Sequence, residues 1–182
     1  MKIIEGKSEF VTFSDFEFIY FDLYLNAIKL RFLCIFIPPN ISKLINIVLN
    51  MIDLIKHTTP KIFSFYIIGI FNFPNINWII PSSNFNECNK SFIKFCCENF
   101  LTQIIDSPTH KDVGILDLVL CNYMGLDKIK SYTVDSPLTN TNDHFLISLD
   151  ISINNSTKSA AVTLYLAFSR ADFRCITNIC QV

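Results

Sequence analysis

The chain has 182 residues, a formal net charge of −1, and 51% hydrophobic against 17% charged residues. That length builds one ordinary domain with a sizeable core, and the balance offers neither a basic face to announce nucleic acid nor an acidic tail. An enzyme that handles phosphates through metal ions stays open, because such an enzyme need not be basic overall.

The seven cysteines are odd in number and show no Cys-x-x-Cys spacing. This excludes a disulfide framework and a zinc ribbon and fits reduced thiols in an intracellular protein. The start, MKIIEGKSEF, lacks the apolar core of a signal peptide. The expected location is the nucleus or cytoplasm, and the protein is not expected to be secreted. Ile, Asn and Phe recur throughout, so a single Phe or Asn carries little weight.

In chain order, residues 16–25, FEFIYFDLYL, alternate partially, with Glu17 and Asp22 breaking the apolar run. Residues 28–37, IKLRFLCIFI, alternate better, with Lys29 and Arg31 on one side and Ile28, Leu30 and Phe32 on the other. The short NA between them predicts a β-hairpin, and Pro38 and Pro39 stop its second strand. Apolar residues at 44, 45, 48, 51, 52 and 55 predict a helix over 41–56. An apolar strand over 62–69 follows. Strand, helix and strand of these lengths predict a parallel pair with a crossover helix.

The stretch 62–80 is long and apolar enough to raise the question of a membrane span. Gly69, Asn72, Pro74, Asn75 and Asn77 interrupt it, and its polar half would be costly in lipid. It reads as a strand and the loop after it, with no membrane partner. A helix fits 90–99, strands fit 115–121, 128–134 and 144–153, an Asn/Ser/Thr-rich linker fits 154–159, and a last amphipathic helix fits 170–181.

Three polar features stand against this apolar background. Asp117 lies inside ILDLVL, and a buried carboxylate is expensive unless paired. It faces water on an edge strand, or it pairs with a histidine and supports its charged form. The histidines are His57, His110 and His144. His57 closes a helix, where it complements the dipole; His110 lies in the loop before Asp117; His144 opens a strand directly after Asp143. The third feature is Gly-Ile-Phe-Asn at the end of the 62–69 strand. Spacing alone makes each an ordinary solvated strand end more often than a site. Their order along the chain allows all three to converge at one sheet edge.

Taken together these segments resemble the endonuclease/exonuclease/phosphatase superfamily, and more narrowly the endonuclease domain of non-LTR (LINE-type) retrotransposons. The matches are CIFIPPN, where the family has a strand ending in Tyr-x-Pro-Pro; GIFNFPNINW, where it has Gly-Asp-Phe-Asn-x-Pro-x-Ile-x-Trp; and FIKFCCENFLTQIIDSPTH, where it has a helix, Asn-x-Leu-Thr-Gln and Pro-Thr-Arg or Pro-Thr-His. LDLVLCN matches nearly verbatim, NDH stands where the family has Ser-Asp-His, and RADFRCI resembles a Lys-Ala-Asp-Phe segment that leads towards a reverse transcriptase. The match is collinear from about Phe16 to Ile176.

The resemblance implies an α/β protein, a four-layer α/β sandwich of the DNase I type, and hydrolysis of DNA phosphodiesters with Mg²⁺. It implies that Asp143 is a metal-linked carboxylate, that His144 hydrogen-bonds the scissile phosphate with Asp117 orienting it, and that Asn72 helps hold the phosphate and the attacking water. It also exposes departures. Ile70 stands where the family's water-activating Asp belongs, Phe36 where its Tyr belongs, and Asn142 where its Ser belongs. The family's Asn and metal-binding Glu belong before residue 16, so the sandwich is expected to be incomplete, with the first part of the fold missing. The expected organisation is a partial nuclease domain over 1–153, then a linker and C-terminal helix over 154–182. The expectation for function is an inactive remnant of a metal-dependent endonuclease; the alternative is a non-catalytic nucleic-acid- or protein-binding remnant. DNA is the expected partner, no small-molecule cofactor is implied, and the oligomeric state stays open.

Overall fold

The computed structural model describes residues 9–13, 16–25, 28–39, 45–61, 63–78, 86–137, 139, 141–155 and 158–166. The alternating segments near the start pair as read. Strands β2 (Phe16–Leu25) and β3 (Ile28–Phe36) form an antiparallel hairpin running from Glu17↔Phe36 to Leu25↔Ile28. An additional strand, β1 (Glu9–Phe13), lines β2 and was not anticipated. Helix α1 (Ile45–His57) then crosses over to β4 (Ser64–Ile70), which lies parallel to β3 with Leu30 opposite Ser64 and Phe36 opposite Ile70. The helical stripe does what its spacing predicts, because Ile45, Val48, Leu49, Ile52 and Ile55 are all buried.

Asp22 and Arg31 are the paired exceptions in the hairpin. They are cross-strand neighbours. Arg31 Nε and Nη2 donate to the two Asp22 carboxylate oxygens at 2.6 and 2.8 Å. The guanidinium also lies over the rings of Tyr20 and Phe63. Planar two-point pairing is the strong form of this contact. It explains how a carboxylate sits in an otherwise apolar strand.

Gly69 has a packing reason inside β4. A Cβ there would lie 1.8 Å from the Ile35 carbonyl oxygen of the neighbouring strand. Only glycine lets the two backbones come that close.

Helix α2 (Glu87–Glu98) follows, opened by Asn86, whose side chain accepts from the Asn89 N–H. The short β5 (Thr102–Gln103) and then β6 (Asp117–Cys121) complete the first sheet, and both β4 and β5 run antiparallel to β6. The order of this six-stranded sheet is β1-β2-β3-β4-β6-β5. After the single-turn α3 (Tyr123–Leu126), strands β7 (Ile129–Asp135), β8 (Leu146–Asn155) and β9 (Lys158–Leu166) form an antiparallel three-stranded sheet.

Strict alternation in β3, β4 and β6 divides the core in two. Leu33, Ile35, Phe65, Ile67, Leu118 and Leu120 face the helices. Leu30, Phe32, Tyr66, Ile68, Val119 and Cys121 face Ile147, Leu149 and Ile151 of the second sheet. The described layers are therefore helices, sheet and sheet. Both faces of the central strands are covered, which is why β4 and β6 read as unbroken apolar runs.

Three expectations change. The linker expected over 154–159 is not one: residues 154–155 continue β8 and 158–159 begin β9, joined by pairs such as Asn154↔Ser159. Cross-strand backbone pairing holds a stretch whose Asn/Ser/Thr composition reads locally as loop. The strand expected from residue 144 starts at Leu146, and the one expected from 115 starts at Asp117. The helix expected over 170–181 lies outside the described residues.

Cys96 is buried and Cys97, its neighbour, is exposed. Burial pushes the Cys34, Cys96 and Cys121 thiols up to about 12, which leaves them as packing groups. Among the described residues no helix is long and apolar enough to cross a membrane.

Candidate functional site

The sheet register sets one row of side chains across the ends of four strands. Glu17 on β2 is opposite Phe36 on β3, Phe36 is opposite Ile70 on β4, and Ile70 is opposite Asp117 on β6. By alternation the row lies on the face that looks towards the second sheet. Backbone bonds continue the ladder past these residues: the Ile37 N–H donates to the Ile70 carbonyl at 2.8 Å, and the Phe71 N–H donates to the Leu116 carbonyl at 2.9 Å. The strand ends are therefore tied together.

At the β6 end of the row the chemistry is polar and paired. Asp117 is fully buried. Both of its carboxylate oxygens lie against His144 Nδ1, at 3.0 and 2.9 Å. The bond to Asp117 raises the His144 pKa above its ordinary value, the negative charges of Asp117 and Asp143 add to this, and partial burial opposes it. Asp117 thus holds the ring in one orientation with Nδ1–H inward, leaving Nε2 as the outward donor. The buried Thr109 hydroxyl accepts from the Leu116 and Asp117 N–H groups at 3.0 and 2.9 Å. His144 is bridged through the backbone to His110, and the two rings meet edge to face with centroids 5.0 Å apart.

The remaining expected residues are placed less simply. Asn72 has a left-handed backbone, φ 52°, and its side-chain N–H donates to the Ile37 carbonyl at 2.6 Å. That bond pins the loop after β4 to the loop after β3, so its amide already has a structural task. Asp143 is exposed, and Lys111 Nζ lies 3.5 Å from its carboxylate. The Asn142 side-chain oxygen accepts from the His144 N–H at 3.4 Å, the position from which a strand-opening residue fixes the histidine's backbone. Ile70 is 4% exposed and packs in the row rather than lining an opening. His57 is apart from all of this, bonded to the Asp53 carbonyl within α1.

Mg²⁺ takes several oxygen donors in near-octahedral geometry. Among the described residues no group of three His, Cys, Asp or Glu side chains comes together. Asp143, single and beside a lysine, does not make such a site, so the described residues do not fit the ion that the resemblance implies.

Thr109 and Glu17 were not singled out as site residues from the sequence, and His110 was noted only as a loop histidine. Thr109 and His110 belong to the Pro-Thr-His segment of the resemblance, which was the available signal; no spacing rule shows that a threonine thirty-five residues from His144 holds the strand on which its partner sits. Glu17 read only as a break in an apolar run.

Two stacked sheets with helices outside one of them give the chain a DNase I-like α/β sandwich fold, the fold of the endonuclease/exonuclease/phosphatase proteins it resembles in structure. The chain is similar to the endonuclease domain of TRAS1, a telomere-specific non-LTR retrotransposon, at TM-score 0.62 and 18% identity over 82% of this chain and 70% of that one. It is also similar to an endonuclease/exonuclease/phosphatase family protein from Leptotrichia buccalis, at TM-score 0.52 and 14% identity over 84% of this chain and 62% of that one. A mannosyl-6-phosphatase from Bacteroides thetaiotaomicron overlays at TM-score 0.53 and 10% identity, over 84% and 67% of the two chains. No family model and no curated protein matches the sequence.

Proposed function

We propose that the chain is an endonuclease domain of a non-LTR, LINE-type retrotransposon that has lost phosphodiester hydrolysis and kept the scaffold of its site. The observation that carries this is the row Phe36–Ile70–Asp117, in which a buried isoleucine separates an aromatic ring from a retained Asp–His pair.

The chemistry explains the weight given to Ile70. Attack on a phosphodiester needs a positioned, activated water and donors to oxygens on which charge grows. His144, held by Asp117 and favoured in its charged form, can supply such a donor from Nε2. Ile70 can neither orient a water nor accept its proton. A positioned general base contributes ~10²–10⁴-fold, so its loss alone is severe. Phe36 withdraws a hydroxyl from the neighbouring strand as well. On this reading DNA is the ancestral substrate, the nuclease portion extends through β9, and the Arg-Ala-Asp-Phe segment after it leads towards a reverse transcriptase region.

The test is nicking of supercoiled plasmid by the purified chain with Mg²⁺. No nicking above background is expected. Clear cleavage that disappears in His144→Ala would overturn the inactive reading. Ile70→Asp is expected to restore no cleavage, because the metal donors are not restored with it; a gain of Mg²⁺-dependent cleavage would show that the donors assemble after all.

A further inference from the structure

One cleft borders this site without containing its Asp–His pair. It has a volume of about 570 Å³ and runs between the loop after β4, at Asn72 and Asn75, and the start of α2, at Asn86 and Asn89, with His110 in its wall. Among the described residues that line it, none is an aspartate or glutamate. A neighbouring cleft of about 400 Å³ shares Pro74, Asn75 and Val113 with it but includes Asp106.

Two features of the first cleft ask for a negatively charged acceptor. The start of α2 presents the positive end of a helix. Asn89, 3% exposed, stands in the wall, and among the described residues its Nδ2 is one of only two buried side-chain polar atoms without a hydrogen-bond partner. Buried amides are almost always satisfied, so a donor left open beside a cleft calls for an explanation. The Asn86 side-chain oxygen accepts from the Asn89 backbone N–H and is not a partner of Nδ2. Glu87 is the carboxylate nearest in sequence; it is exposed and its charge is met by Lys90 Nζ at 2.8 Å.

We infer that this cleft binds a phosphate group of a nucleic-acid strand, with the Asn89 side-chain amide donating to a phosphate oxygen at the N-terminal end of α2. His110 joins the cleft to the Asp117–His144 pair, since its ring lines the cleft and touches the His144 ring. The phosphate bound here is then a neighbour of the one at His144 on the same strand. This rests on the nucleic-acid reading proposed above, but requires no cleavage. A four-asparagine wall without formal charge also explains how a strand could be held by a chain with a net charge of −1.

The experiment is a titration of the isotopically labelled chain, without metal, with the dinucleotide d(TpT) and separately with inorganic phosphate, followed by amide NMR. The expected result is a saturable shift of the Asn89 side-chain NH₂ and of the Glu87 and Cys88 backbone amides with d(TpT). Asn89→Leu and Asn89→Asp are expected to weaken that binding at least tenfold while keeping the native spectrum. Two variants are used so that a folding failure in one leaves the other to decide. The titration contains no metal and reads binding alone, so its outcome is separate from whether the chain cleaves DNA. The inference is overturned if Asn89 does not respond to d(TpT), if both variants bind as the parent does, or if only inorganic phosphate binds, which would make the site one for a free ion.

Discussion

The two halves of the row across the strand ends solve the same problem in opposite ways. At β6 a carboxylate is buried completely and bonded by the His144 ring, while the Thr109 hydroxyl accepts from the Leu116 and Asp117 backbone N–H groups beside it. At β3 and β4 the corresponding positions are Phe36 and Ile70, which need no polar partners. The polar half is held by directed bonds and fails when one partner goes, because an unpaired buried polar group costs more than the bond itself contributes. The apolar half is held by area and shape alone. An isoleucine could therefore enter the row without disturbing the strand pairing on either side, and the reverse change is much harder.

The largest expected effect tests that asymmetry directly. Ile70→Asp places a second carboxylate opposite Asp117 at a position that is 4% exposed. With no counter-charge or ion beside it, it is expected to destabilise the fold by about 4 kcal/mol, measured as a lower midpoint in urea. A loss below about 1 kcal/mol would mean that the row still has polar capacity at β4, and the contrast between its halves would collapse.

Thr109→Val should cost less, about 2 kcal/mol, because it keeps the shape and leaves the Leu116 and Asp117 N–H groups without their acceptor. The same assay measures it, and hydrogen exchange at those two amides should speed up more than elsewhere in β6. An unchanged midpoint would show that the polar half does not depend on Thr109.

The smallest effect is the pH dependence of the Asp117–His144 pair. The His144 pKa is raised in the folded chain, first by the bond to Asp117. A raised histidine contributes stability that is fully present below the unfolded value, about 6.5, and lost as pH rises through the folded value. The stability difference between the parent chain and His144→Gln should therefore be largest in acid and shrink towards alkaline pH. In Asp117→Asn the His144 ring, followed by NMR, should titrate at lower pH than in the parent. A His144 titration unmoved by that change would remove Asp117 as the cause of the shift.

Much of the scaffold was readable because it is local. Alternation in 28–37, helical spacing in 45–55 and the apolar run at 64–70 each follow from neighbours a few residues apart, and they sufficed for the hairpin and the parallel crossover. The Asp117–His144 pairing was readable as one option because an aspartate inside an apolar strand has few affordable partners. The strands β1 and β9 were not readable, since only pairing with β2 and β8 distinguishes them from loop.

By itself, the sequence determined which segments carry an apolar face and which polar residues break it, because those depend on residue type and local period. The family resemblance, rather than any local pattern, set Ile70 where a carboxylate would be expected. Only the tertiary structure decided that Glu17, Phe36, Ile70 and Asp117 share one row, that Asn72 is spent on the Ile37 carbonyl, and that Asn89 keeps an open donor in a cleft next to His110. Each of these is a relation between segments far apart in the chain. Strand register and loop closure set it, and no local pattern encodes it.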